Sequence, residues 1–428
     1  MNALSGLNPR YDVMIVGARC AGAATALLLA RSGAKVLVVD RQAYGSDTVS
    51  THALMRCAVG QLNRWGLIPS VVAAGTPAIR STTFHYRDEA IGVDIKPGHG
   101  VDCLFAPRRT VLDRLLVDTA REAGADVRHG IALSELRFAS SGRVTGASLR
   151  DACGACMTVS SDIIIGADGR QSTVARLVNA KAYVEGFNAS GIMFGYYVDL
   201  NRDGLHWHFG KDVAAGVIPT NSGHCVFAAV PAAQFLATFR GDVMRGFLEV
   251  LAANCPELRA DIDRATLIGR LRGFGGARSY LRQCHGAGWA LVGDAGYFKD
   301  PLTAHGITDA LRDAQLLSRR IFAGGSRALE DYQRERDALS LPFMRVTDAI
   351  ASFSWDLDQV KQLHAELHAA MKTEANHIAS LSHPSQLGST ACRTIPPGHE
   401  RSPADPPWAP APRGAARPQC AMSKCSQR

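Results

Sequence analysis

The sequence predicts an α/β protein in which a parallel, βαβ-built sheet is interleaved with a mostly antiparallel one and closed by C-terminal helices. Three observations carry this. The stretch 11–41, YDVMIVGARCAGAATALLLARSGAKVLVVDR, runs from an apolar segment through a small-residue helix pattern into a second apolar segment. Two later apolar runs, within 161–178 and 288–321, each end in a turn that carries glycine and aspartate. Between them, 190–230 breaks into short apolar runs separated by turn residues, the pattern of antiparallel strands.

The first stretch is the most informative. Val13 to Val16 reads as a buried strand ended by Gly17, and the Ala/Leu-rich helix leads to a second strand, Val36 to Val39. Gly17 turns the chain at the strand end, and Gly22 lets the helix lie close to the sheet. The helix N-terminus then offers free N–H groups and a partial positive charge to a pyrophosphate. Asp40, 23 residues after Gly17, stands where it would accept from a ribose hydroxyl. Together these predict a Rossmann-type dinucleotide site and leave NAD and FAD both open. One position departs from the fingerprint, whose middle glycine is Arg19 here. That side chain must lean away, with its guanidinium directed to a phosphate or to the ring system.

The next elements follow in order. A loop over 42–51 leads to a helix over 52–67, with Ser50 or Thr51 as its N-cap. The other reading of Ser50-Thr51-His52 sets His52 or the helix end beside a cofactor ring. Residues 78–100 alternate as a hairpin of the substrate-side sheet. Arg108 and Arg109 precede an amphipathic helix that ends near Gly124. Two cations at a helix start oppose its dipole, so the choice lies between a nearby anion or cofactor and a solvated pair. Strands are expected near 125–131, 144–149 and 156–159.

In SDIIIGADGRQSTVARLV a buried strand turns through Gly166, Asp168 and Gly169, where backbone can approach a ligand closely. After the 190–230 strands come a helix over 232–253, another from Pro256 and a strand over 267–272. In the 288–321 segment a strand ends at Gly293-Asp294, a loop carries Asp300-Pro301, and a helix starts near Gly306. Asp294 can accept from ribityl or ribose hydroxyls. The helix N-terminus would suit the N1–C2=O edge of a flavin, where negative charge collects on reduction. Helices over 346–356 and 357–380 complete the ordered part. Segments 8–77, 101–185 and 273–345 are thus expected to build the cofactor domain, 78–100 and 186–272 the substrate side, and 346–382 the C-terminal helices.

Composition narrows the class. At 428 residues, 46% hydrophobic and 20% charged, the chain has the make-up of an ordinary globular protein. No apolar run approaches the ~18 residues of a membrane helix. The start lacks a signal sequence and the 11 cysteines lack a disulfide framework, which predicts a cytoplasmic location. Cys153 and Cys156 form a lone CxxC, a poor zinc site, so no metal is expected. Of the net charge of +8, about half falls in 383–428, where six Lys/Arg face Glu400 and Asp405. Without a basic stripe interleaved with aromatics, nucleic acid is not an expected partner. That same segment holds nine of the 19 prolines and few aliphatic residues, which predicts a disordered tail.

Three motifs in this order, GARCAG, GADGR (166–170) and GDAGYFKDP (293–301), resemble those of the FAD-dependent monooxygenases of the para-hydroxybenzoate hydroxylase type and their geranylgeranyl reductase-like relatives. The resemblance spans about 11–321. It implies FAD as cofactor, its ADP half held by Gly17, Gly22 and Asp40 with Arg19 nearby. Arg109, with Arg108 as substitute, would contact the flavin. Asp168 and Gly169 would serve cofactor and NAD(P)H handling. Gly293 and Asp294 would hold the ribityl chain, and Pro301 to Gly306 would pass beside the isoalloxazine. The loop PLTAHG departs from the more glycine-rich loop of many hydroxylases. With no second Rossmann unit in the sequence, NAD(P)H is a transient electron donor, or a separate flavin reductase supplies reduced flavin.

The activity this implies is a hydroxylase or epoxidase: a C4a-hydroperoxide of the reduced flavin delivers one oxygen from O₂ to a small organic substrate of aromatic, polyketide or isoprenoid kind. Tyr196, Tyr197, His206 and His208 are candidates for lining that substrate, with an ordinary place on a sheet face as the alternative. His52 is the one candidate for a catalytic side chain. A reductase or dehydrogenase on the same fold is the second reading, and a non-catalytic flavin-binding protein the third. A halogenase finds no support in a tryptophan-rich motif after the strands.

Overall fold

The computed structural model describes residues 4–381; the tail expected over 383–428 lies outside the described residues. The chain opens with β1 (Arg10–Val16), α1 (Cys20–Arg31) and β2 (Val36–Asp40), the two strands parallel with Val13 opposite Val36. α1 is buried from Cys20 to Ala30 because it is covered on more than one side, so its pattern is small and apolar all round.

α2 (Arg56–Arg64) starts later than expected, and neither Ser50 nor Thr51 caps it. Its N-cap is Met55, whose N–H is taken by the Thr308 hydroxyl at 3.2 Å. Ser50 accepts instead from the N–H of His52, which holds a left-handed φ of 69° in a loop over the sheet. α3 (Ile68–Ala73) precedes the expected hairpin, β3 (Ser81–Tyr86) and β4 (Glu89–Asp94). Then come α4 (Arg109–Glu122), β5 (Asp126–His129), β6 (Ile131–Phe138), β7 (Val144–Asp151) and β8 (Cys156–Gly166). The runs expected as separate strands either side of Ser160 are therefore one strand. The first half of β8 pairs antiparallel with β7, and its second half pairs parallel with β1.

α5 (Thr173–Leu177) and β9 (Ala182–Glu185) lead to the antiparallel set β10 (Ser190–Val198), β11 (Leu205–Gly210), β12 (Val213–Thr220) and β13 (Gly223–Pro231). The helix expected across 232–253 is two, α6 (Ala232–Phe239) and α7 (Val243–Asn254), because Asp242 starts the second by accepting from the Arg245 N–H at 2.9 Å. α8 (Pro256–Arg264) and β14 (Thr266–Phe274) follow. The chain ends with β15 (Tyr280–Arg282), β16 (His285–Gly286), β17 (Trp289–Leu291), β18 (Tyr297–Phe298), α9 (Gly306–Ala323), α10 (Ala328–Ala351) and α11 (Leu357–Ser380). The helix expected over 346–356 is the last part of α10, which stops at Ala351; Asp356 starts α11 through a capping box.

The first sheet runs β16-β17-β8-β1-β2-β5, with β7 and β6 added beside β8. The second runs β14-β10-β13-β12-β11-β3-β4, and β3 joins it parallel to β11, Thr82 opposite Leu205. Strand alternation sorts the second sheet's residues. Ile192, Phe194 and Tyr196 of β10 face the main core, whereas Met193 and Tyr197 face a smaller core under α7 and α8.

Candidate cofactor and substrate site

Gly17 sits at φ +105°, and a Cβ there would stand 2.4 Å from the Ala167 carbonyl oxygen. One at Gly22 would stand 1.8 Å from the Gly17 carbonyl oxygen, so α1 can lie against the β1 turn only without a side chain there. The N-cap of α1 is Arg19, which supplies no side-chain cap, and no acidic residue occupies the first turn. The first N–H groups of the helix thus remain available to an anion.

Arg19 leans away, as expected, and ends on protein: it donates to Asp113 at 3.1 Å, to the Ser46 hydroxyl and to the Asp47 carbonyl. Asp40 accepts from the N–H groups of Ala18 and Gln42, each at 2.7 Å, and so braces the turn while still facing the space in front of it.

That space is a cavity of about 800 Å³ at the C-terminal ends of the parallel strands. Gly17, Arg19 and Asp40 line it from the βαβ turn, and Arg109 from the start of α4. Asp168 and Gly169 line it from the second motif, and Asp294, Pro301 and Gly306 from the third. Gly22 and Gly293 do not line it; each lies where helix and strand backbones close up, a Cβ on Gly293 reaching 3.0 Å from that of Ala21.

Each carboxylate has its own setting. Asp168 accepts from the Ser172 hydroxyl at 2.5 Å and from the N–H of Thr173 at 2.6 Å, so it caps α5 and shapes the turn. At Asp294, burial pushes the carboxyl up to about 6, and Arg109, Lys299 and Arg170 restrain the rise. Arg109 is held by Asp113 through two hydrogen bonds, at 3.0 and 3.1 Å. Asp113 therefore organises both arginines that border the turn. Sequence reasoning passed over it, although its i+4 spacing from Arg109 on one helix face was the available signal.

His52 lines the cavity, and its Nε2 lies 2.5 Å from the Tyr196 hydroxyl. Burial, with Arg108 and Arg109 adding to it, pushes the imidazole down to about 3, so it is neutral at pH 7. The Arg108 guanidinium lies 3.4 Å above the Tyr196 ring and also reaches Asp47, which Arg272 binds from the second sheet.

The apolar wall comes from Ile192 and Phe194 of β10 with Phe274 and Phe298. Of the four expected substrate-lining residues, Tyr196 stands behind the lining, bonded to His52 and packed edge-on against Phe194. Tyr197 points to the opposite face of β10. His206 and His208 share a face of β11 opposite to Trp207 and Phe209, and stack on His85 of the neighbouring strand. The period of two turns Tyr197 away from the cavity, β11 contributes nothing to its lining on either face, and Ile192 and Phe194 take the positions expected of these residues.

Behind the third motif lies a buried ionic network. Lys299 pairs with Asp309; Arg312 binds Asp309, Asp313 and Glu374 at 2.8–3.0 Å, and Glu374 binds His305 at 2.8 Å. His305, Asp309 and Glu374 stand close enough to share a cation, but Lys299 and Arg312 already match these carboxylates.

A Gly-cradled helix start, an acid at the end of β2 and a long cavity beyond them fit a dinucleotide larger than FMN. The family of FAD binding domains matches residues 10–346. The chain belongs to this family. As a member it is an FAD-dependent oxidoreductase with FAD as its cofactor. It is 28% identical over 344 residues to the menaquinone reductase of Mycolicibacterium smegmatis, covering 74% of this chain and 78% of that protein. With the squalene epoxidase of Saccharomyces cerevisiae it shares 24% identity over 411 residues, covering 82% and 79%. The flavin-dependent brominase Bmp2, as a triple mutant, superposes with a TM-score of 0.75 at 17% identity over 88% of this chain and 97% of that one, a likeness of fold. Among the described residues no helix is long and apolar enough to cross a membrane.

Proposed function

We propose that this flavoprotein is a monooxygenase that places one oxygen atom from O₂ on a small, largely apolar organic substrate, with NAD(P)H as the transient reductant. The observation that carries this reading is the composition of the cavity: backbone donors and carboxylates on the cofactor side, Ile192, Phe194, Phe274 and Phe298 on the other. An apolar wall of that kind binds by excluding water, which also protects reactive oxygen chemistry from water. Bound FAD supplies the redox and oxygen chemistry, and the protein supplies position, dryness and electrostatics.

In this reading the start of α1, with Gly17 and Gly22 allowing close approach, receives the pyrophosphate. Asp40 accepts from the adenosine ribose, and Asp294 accepts from ribityl hydroxyls. Arg109, fixed by Asp113, borders the ring, and the 301–306 segment passes beside it. His52, neutral and tied to Tyr196, holds the wall between cofactor and substrate. The similarity to squalene epoxidase supports an apolar substrate for an oxygen-inserting member of the family. The similarity to menaquinone reductase favours a second reading, hydride transfer from FAD to a double bond or quinone.

The test is to reduce the FAD-loaded protein with NADPH or NADH, admit ¹⁸O₂ with aromatic, polyketide and isoprenoid compounds, and weigh the products. One ¹⁸O atom per product molecule is the expected result. A product that has gained two hydrogens and no oxygen would establish the reductase instead.

A further inference from the structure

The charges at the base of α9 are not used by the function proposed above. Lys299 and Asp309 are 5% and 3% exposed and pair with each other. Both contribute to the cavity wall beside Asp294, Pro301 and Gly306. The lysine ammonium is boxed in by the rings of Tyr297 and Phe343, each 5.3 Å away, so Asp309 is the acid that meets it directly. Stability alone does not explain such a pair, since apolar side chains of similar volume would hold the fold as well or better.

We propose that the Lys299–Asp309 pair sets the charge balance of the bound flavin, Lys299 favouring the reduced, anionic ring and Asp309 limiting that preference. The inference rests on the reading that FAD lies with its ring beside the 294–306 segment. A hydride taken from NAD(P)H brings two electrons and one proton; N5 gains the hydrogen, and one negative charge remains near N1 and C2=O. A cation held in a low-dielectric wall lowers the energy of that charge, and the N-terminus of α9 acts in the same sense.

The groups that face Lys299 are Asp309, Asp313 and Arg312 of α9, Glu374 of α11, Asp294 and His305. Burial first, then Arg312, pulls the ammonium down to about 7, against Glu374 and Asp294. A lysine lowered in this way would take up a proton from solvent when the ring becomes anionic, in addition to the one delivered with the hydride.

The experiment is a spectroelectrochemical titration of the FAD-loaded protein from pH 6 to 9, with melting of the apo protein followed in parallel. Lys299→Met is expected to lower the midpoint potential, reduced FAD losing about tenfold in affinity relative to oxidised FAD, the lower end of what one neighbouring charge does. Asp309→Asn should raise the potential. The double variant Lys299→Met/Asp309→Leu, which removes the pair without changing net charge, should fall between them and keep the fold. Lys299→Arg should preserve the potential at pH 7 but lose the extra proton, its slope falling to one proton per two electrons. Shifts of the same sign in Lys299→Met and Asp309→Asn, or an unchanged slope in Lys299→Arg, would overturn the proposal. Should Lys299→Met and Asp309→Asn not fold, Lys299→Arg and the double variant still decide it. A wild-type protein that binds no FAD would instead overturn the reading of the site.

Discussion

Two helices begin at the same cavity and are built in opposite ways. α1 starts on Arg19 with no side-chain cap and no acid in its first turn, and its neighbours there are glycine and alanine backbone. α9 starts on His305 and buries Asp309 in its first turn, with Arg312, Asp313 and Glu374 beneath it. The first end leaves its backbone donors free and keeps side chains out. The second fills the space under the helix with charges, one of which comes from α11, Glu374 lying 62 residues beyond Arg312. A backbone site depends on shape and tolerates no added atom. An ionic base depends on the balance of charges and fails when a charge is removed without its counterpart. The two ends should therefore fail differently when altered.

The largest effect is expected at the ionic base. Arg312→Met would leave Asp309, Asp313 and Glu374 short of a buried cation, which should cost about 3–5 kcal/mol in denaturant unfolding of the apo protein. A loss under about 1 kcal/mol would mean the network contributes little to folding, and the contrast with α1 would collapse. Next comes the backbone site. Gly22→Ala puts a methyl into the Gly17 carbonyl, and overpacking of this kind costs about 1–3 kcal/mol. FAD content after gel filtration should fall with it; full flavin retention would show that close approach of α1 is dispensable.

Asp294 should divide the two properties. Asp294→Ala is expected to weaken FAD binding by about 1.5–3 kcal/mol, the range for hydrogen bonds to a charged group, while the apo protein keeps its fold. An equal drop in melting with and without flavin would make Asp294 structural. Its titration adds a signature. Because burial raises this carboxyl to about 6, the folded apo protein holds the proton more tightly than the unfolded chain. That contribution to stability is complete below about pH 4 and is lost as pH rises through 6. Asp300, also raised by burial to about 6, titrates in the same window, so the difference between wild type and Asp294→Asn isolates Asp294. A difference independent of pH between 4 and 7 would contradict the assignment. The smallest effect belongs to Tyr196→Phe, which removes the hydrogen bond to His52 and should cost about 1 kcal/mol of stability without loss of FAD.

What could be read from the sequence is what depends on near neighbours. The β1–α1–β2 unit, Gly17, Gly22 and Asp40, the hairpin at 78–100 and the start of α9 at Gly306 all follow from apolar periodicity and glycine placed within a few dozen residues. The family motifs, in order, carried the FAD cofactor and the oxidoreductase class. The start of α2 differs from the expectation because the Leu54 N–H, which Thr51 as N-cap would satisfy, pairs instead with the Phe105 carbonyl, far along the chain.

Only the tertiary structure decided which faces of the second sheet meet the cavity. A slip of one residue along β10 exchanges Phe194 and Tyr196 for Tyr197, and polar composition alone cannot choose between them. It also decided the partners of charge. Asp113 gathers Arg19 and Arg109, and Lys299 meets Asp309 over an apolar floor, because α4, α9 and the loops between them pack at one end of the parallel sheet. Local patterns specify where a helix begins and which stripe it buries. Which charge lies opposite which is set only when segments distant in the chain are brought together, since the energy of a buried ion depends on all of its neighbours at once.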